Sequence, residues 1–111
     1  MLHPFLLPFL PKIESLCREH RVEKLWAFGS VTRPDFNRRR SDVDLLVEFY
    51  PTANALEYGR NHLKFWRTLK TMLQKEVDLL TLPALRNPYF MEELDETKIL
   101  IYEKKHETVP V

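Results

Sequence analysis

The chain has 111 residues, 44% hydrophobic and 30% charged, which suits one soluble domain around a single modest core and leaves little room for a second. Formal net charge is only +1, so the field of the whole molecule gives no reason to expect direct binding to nucleic acid or to an anionic membrane, and any charge-based function must be local. A lone cysteine, Cys17, excludes an internal disulfide, and no uninterrupted apolar run approaches the ~20 residues needed to cross a bilayer.

The start, MLHPFLLPFLP, is apolar but lacks a basic leader and a small-residue cleavage site, and prolines interrupt it, so a cytoplasmic protein is expected. Phe9, Ile13, Leu16, Cys17 and His20 then recur at three- and four-residue intervals, as one face of a short helix requires, with Pro11 tolerated in its first turn. Cys17 on that face reads as a packed thiol. VEKLWAF, Val22 to Phe28, is rich in aromatic and branched residues and predicts a strand running into Gly29. SVTRPDFNRRR predicts mostly loop, with one helical turn after Ser30, and SDVDLLVEF predicts a second strand.

From Leu56 to Leu73 the spacing predicts the longest helix, with Leu56, Leu63, Trp66, Leu69 and Leu73 on its inner face and Gly59 on the same side, where a neighbour can approach closely. EVDLLTL, Glu76 to Leu82, reads as a third strand ended by Pro83. Asn87 is suited to cap a short helix that has Pro88 at its first position and acids in an early turn. TKILIYE predicts a short edge strand. The expected organisation is a single α/β (α+β) domain with a core at about 9–102 and a frayed tail at 103–111.

Side chains alternate between the two faces of a strand, so Asp42 and Asp44 share one face while Val43, Leu45, Val47 and Phe49 take the other. Two neighbouring carboxylates repel, and at least one pKa rises unless a cation compensates. A divalent cation is the economical solution, and Mg²⁺ is commonly held by a couple of carboxylates together with substrate phosphates. VDLL recurs at Val77–Leu80, so pairing the two strands with core faces aligned brings Asp78 to the surface of Asp42 and Asp44. Three such carboxylates can hold one or two metals and leave an oxygen free to accept a proton from an attacking hydroxyl, which describes a phosphoryl- or nucleotidyl-transfer site. Each aspartate taken alone is equally well read as a solvated strand end.

Only two glycines occur, so Gly29 needs a reason: a sharp turn, or a ligand that comes close. With the hydroxyl of Ser30 it can grip the outer phosphates of a nucleotide. Arg33 can contact phosphate too, or simply pair with Asp35.

The segments GSVTR, SDVDLLVEF and VDLL resemble the nucleotidyltransferase superfamily of DNA polymerase β-like enzymes, and in particular its minimal prokaryotic subgroup, the MNT antitoxins encoded beside HEPN-domain toxins. The resemblance spans about 22–102. It implies the nucleotidyltransferase fold, a small mixed sheet flanked by helices, with one or two Mg²⁺ ions and ATP or another nucleoside triphosphate as donor. By position it makes Gly29 and Ser30 the nucleotide-gripping pair, Asp42 and Asp44 the paired metal ligands and Asp78 the third carboxylate. It further implies an antitoxin that transfers AMP to a tyrosine of a partner HEPN toxin. Pro34 stands where many relatives have glycine or an acid, and Arg38, Arg39 and Arg40 make the loop unusually basic.

Competing readings are a non-catalytic toxin-binding module of the same fold, and transfer to a small molecule or an RNA end. Larger relatives carry an additional acceptor-binding domain that is missing from these residues, which leaves the acceptor to be brought by a partner. Arg60, Lys64 and Arg67 form a basic helical stripe of the kind usually found on a solvated face, and Phe65 beside Trp66 leaves one aromatic for a contact. His3, His20, His62 and His106 have no metal-ligand spacing, and Ser30 lacks the base and orienting acid of a serine hydrolase.

Overall fold

A computed structural model describes residues 1–51, 54–81 and 88–105. A turn of 3-10 helix at Leu7–Phe9 leads into α1 (Leu10–Glu19), whose Ile13, Leu16 and Cys17 are buried on the expected face. Burial pushes the Cys17 thiol up to about 12, which makes it an inert part of the core. β1 (Val22–Phe28) runs into a 3-10 turn at Gly29–Thr32, and β2 (Val43–Phe49) follows the loop. Then come α2 (Ala55–Leu73), β3 (Val77–Thr81), α3 (Pro88–Thr97) and β4 (Ile99–Glu103).

The strands form one four-stranded sheet in the order β3-β2-β1-β4. β1 pairs antiparallel with both β2 and β4, whereas β2 and β3 are parallel, as the intervening helix α2 requires. This is the mixed sheet flanked by helices that the resemblance implied. Val43, Leu45, Val47 and Phe49 face the main core beneath α1 and α2, and the opposite face carries a smaller cluster in which Leu94 of α3 packs on Phe28 and Leu46.

Several expectations shift. In α2 the buried row is Phe65, Leu69 and Leu73, at intervals of four, while Leu56 and Leu63 lie outside it and are 62% and 41% exposed. Among the described residues nothing lies within 4 Å of where a Cβ on Gly59 would sit, so no close approach calls for glycine there. Trp66 is half-buried, and its indole Nε1 donates to the Val77 carbonyl at 2.7 Å, which pins α2 to the start of β3. Asn54 caps α2 by accepting from the backbone of Leu56 at 2.9 Å. The acids of α3 begin at Glu92, directly after its first turn, in keeping with the early turn expected for them. Asn87 and Pro83, and the tail beyond Lys105, lie outside the described residues.

The packed chain also begins earlier than residue 9. Leu6 is fully buried, the His3 amide donates to the Val31 carbonyl at 2.7 Å, and the His3 and Phe5 rings lie 4.9 and 5.4 Å from that of Phe36. The N-terminal segment therefore clamps the loop that joins β1 to β2. At the other end, Glu103 belongs to β4 and pairs with Lys24.

Candidate active site

Asp44 sits at the centre of the sheet. Its strand neighbours are Phe28 at the end of β1 and Asp78 on β3, in register on either side. Residues in register share a face, so Asp44 and Asp78 point the same way, and Asp42, two residues before Asp44, joins them. The parallel pairing aligns Val43 with Val77 and Leu45 with Leu79, as core-face alignment demands. Asp42 and Asp78 are exposed, whereas Asp44 is partly buried.

That difference sets the electrostatics. The Asp44 carboxyl is pushed up to about 6, first by burial and then by the charges of Asp78 and Asp42, while the Arg33 guanidinium pulls the other way. Among the described residues no three His, Cys, Asp or Glu side chains converge tightly enough to cage a metal. An open site suits Mg²⁺ nonetheless, because that ion takes one or two carboxylates and fills its other positions with water and substrate phosphates. The donor set is all oxygen, and the mutual repulsion at Asp44 is the kind a cation relieves.

Gly29 abuts this carboxylate. Its φ of +69° is left-handed, and a Cβ built there would overlap Asp44 Oδ2. Both requirements select glycine. The turn that follows is closed on itself: Thr32 Oγ1 donates to the Gly29 carbonyl at 2.6 Å, and the Arg33 amide donates to the Ser30 carbonyl at 3.0 Å. Ser30 Oγ reaches the Asp42 carbonyl in a long bond of 3.4 Å, which ties the Gly-Ser turn to the first aspartate. Arg33 pairs with Asp35 at 3.5 Å on the surface and also lines a cavity of about 230 Å³ together with Gly29 and Asp44.

The structure thus brings Gly29, Ser30, Arg33, Asp42, Asp44 and Asp78 to one end of the sheet. It adds Phe90 and Leu94 of α3 and Phe28 of β1, which give the cavity an apolar wall, with the Phe28 and Phe90 rings edge-to-face at 6.1 Å. Sequence reasoning placed a short helix here but gave it no part in the site, because packing across the sheet leaves no local signal in its residues. It missed Lys70 and Lys75 as well, which join Arg38–Arg40 in a separate cleft at Asp42.

A short mixed sheet whose parallel β2–β3 pair sets three carboxylates against a glycine turn defines the nucleotidyltransferase class. The chain belongs to the nucleotidyltransferase domain family, whose pattern matches residues 12–106. "Putative protein adenylyltransferase MJ0128" of Methanocaldococcus jannaschii is 33% identical over 86 residues, covering 78% of this chain and 83% of that protein. A solved "putative minimal nucleotidyltransferase" superposes with a TM-score of 0.65 at 28% identity, over 89% of this chain and 95% of its own. The fold also matches a toxin-antitoxin crystal structure with AMP-PNP, at a TM-score of 0.65 and 19% identity over 86% of this chain and 74% of that one. A further match is the MNT antitoxin complex with a tri-AMPylated HEPN toxin of Shewanella oneidensis, at a TM-score of 0.58 and 18% identity over 86% and 70% of the two chains.

Proposed function

We propose that this chain transfers AMP from ATP to a hydroxyl of a partner protein, a tyrosine of a HEPN-type toxin, and thereby acts as its antitoxin. The observation that carries the reading is the Asp44–Asp78 register beside Asp42, set against a glycine that has no room for a side chain. The relatives support the donor and the acceptor: one is named for protein adenylylation, one fold match holds AMP-PNP and another a tri-AMPylated toxin. A single domain over 1–111 is sufficient for this chemistry when the acceptor arrives on a second protein.

In this reading Asp42 and Asp44 hold Mg²⁺, which when bound neutralises the triphosphate and lowers the charge barrier to attack. Gly29 and Ser30 hold the outer phosphates, and Arg33 reaches the same cavity. Asp78, exposed at the edge of the site, accepts the acceptor's hydroxyl proton. The hydroxyl oxygen bonds to the α-phosphorus, the bond to the β-phosphate bridge breaks, and pyrophosphate leaves with the electron pair. Phe28, Phe90 and Leu94 offer an apolar surface for the nucleoside.

The test incubates the protein with ATP labelled at the α-phosphate, Mg²⁺ and the product of the neighbouring gene. Label is expected on that product with wild-type protein and at background with Asp42→Asn/Asp44→Asn. Undiminished transfer by the double variant refutes the assignment. Protection of cells by a triple Asp→Ala variant that labels nothing indicates neutralisation by contact alone.

A further inference from the structure

A second cleft, of about 600 Å³, meets the carboxylate row at Asp42, whereas the Gly29 cavity meets it at Asp44. Its walls come from the loop before β2, the end of α2 and the turn into β3. Arg38, Arg39, Arg40, Lys70 and Lys75 line it against only two carboxylates, Asp42 and Glu76. Glu76 is already paired with Lys70 at 3.2 Å. On a chain of net charge +1 this is a strong local concentration of cations.

The arginines stand on a turn that is already built. Asn37 Oδ1 accepts from the backbone amides of Arg39 at 2.9 Å and Arg40 at 3.1 Å, and Ser41 Oγ accepts from the Asn37 amide at 2.9 Å. Lys75 Nζ donates to the Arg38 carbonyl at 2.7 Å and lies over the Phe36 ring at 5.3 Å, fastening the turn to the end of α2. Arg38 lies over the Phe5 ring at 5.8 Å. Arg39 and Arg40 are exposed and have no carboxylate partner among the described residues. Two exposed guanidinium groups carried on a fixed turn and lining an open cleft suit phosphate oxygens.

A neutral tyrosine hydroxyl has no use for such a cleft, and the donor's phosphates belong to Gly29, Ser30 and Mg²⁺. Resting on the transfer reading above, we propose that the cleft is an acceptor-side phosphate subsite: it holds the phosphodiester of an acceptor that already carries one nucleotide, so that a second can be added. The attacking group is then a ribose hydroxyl of the first nucleotide. Its oxygen bonds to the α-phosphorus of a new ATP, its proton passes to Asp78, and pyrophosphate leaves as before.

The probe is 5′-phosphorylated diadenylate, titrated calorimetrically into wild-type protein and Arg39→Ala/Arg40→Ala, with AMP-PNP and Mg²⁺ titrated in parallel. Both side chains are exposed, and an unchanged melting temperature checks that the variant folds. The variant is expected to bind diadenylate at least tenfold more weakly, with a shallower salt dependence, while AMP-PNP affinity stays within twofold. Unchanged diadenylate binding overturns the proposal, and an equal loss of AMP-PNP binding overturns it by giving the cleft to the donor. Wild-type protein that binds diadenylate through these arginines but never binds AMP-PNP refutes the transfer reading while sustaining the phosphate subsite.

Discussion

Replacing Asp44 by asparagine should stabilise the metal-free protein while abolishing its chemistry. Asp44 has a folded-state pKa of about 6 against an ordinary value of 3.8, so the folded state holds its proton more tightly than the unfolded chain does. Stability from this group is therefore complete at low pH and is lost as pH rises through the interval between the two values. The shift corresponds to about 3 kcal/mol at full weight. Solvent screening of a half-buried carboxylate reduces that to about 1–2 kcal/mol. In a domain of this size such a gain raises the melting temperature by on the order of 5–10 °C.

The assay is thermal unfolding in chelator at pH 8 and at pH 4, for wild type and Asp44→Asn. The variant should melt higher at pH 8, and the gap should close at pH 4, where the wild-type carboxyl is itself protonated when folded. Added Mg²⁺ should stabilise wild type more than the variant. A variant that melts lower at pH 8, or a gap that persists at pH 4, refutes the reasoning that burial and the two neighbouring carboxylates strain this position.

The two glycines should behave oppositely. Gly29→Ala places a Cβ against the Asp44 carboxylate in a left-handed conformation that costs about 1–2 kcal/mol, and displacing that carboxylate should lower the transfer rate on the order of 100-fold. Gly59→Ala, in an open helical position, should instead stabilise by about 0.5–1 kcal/mol and leave the rate unchanged, both read by chemical denaturation and label transfer. Phe65→Ala should cost about 3–5 kcal/mol, whereas Leu63→Ala should stay within about 0.5 kcal/mol, which checks the observed face of α2 against the expected one.

The carboxylate row was legible because a strand has a strict two-residue period: once VDLL recurs, core-face alignment forces Asp78 beside Asp44. Gly29 was legible for the same reason, since a lone glycine at a strand end must answer to sterics. Helix periodicity is looser, and leucines at 56 and 63 could be counted into a face that packing assigns to Phe65, Leu69 and Leu73. Gly59 was then given a purpose it does not have. The N-terminal clamp was hidden by its prolines, which obscure any period, although Leu6 is as buried as any residue of the sheet. Long-range neighbours left no local trace either: nothing in the run Arg38–Arg40 indicates that Lys70 and Lys75 complete its cleft, or that α3 walls the Gly29 cavity.

The central claim is that these residues transfer a nucleotide rather than a phosphoryl group, and parallel incubations with ATP labelled at the α- or the γ-phosphate test it most directly. With Mg²⁺ and the partner protein, the α-label should become covalently attached to the partner and the γ-label should be released as pyrophosphate, both depending on Asp42 and Asp44. Attachment of the γ-label, or transfer of neither label while AMP-PNP still binds, would contradict the account.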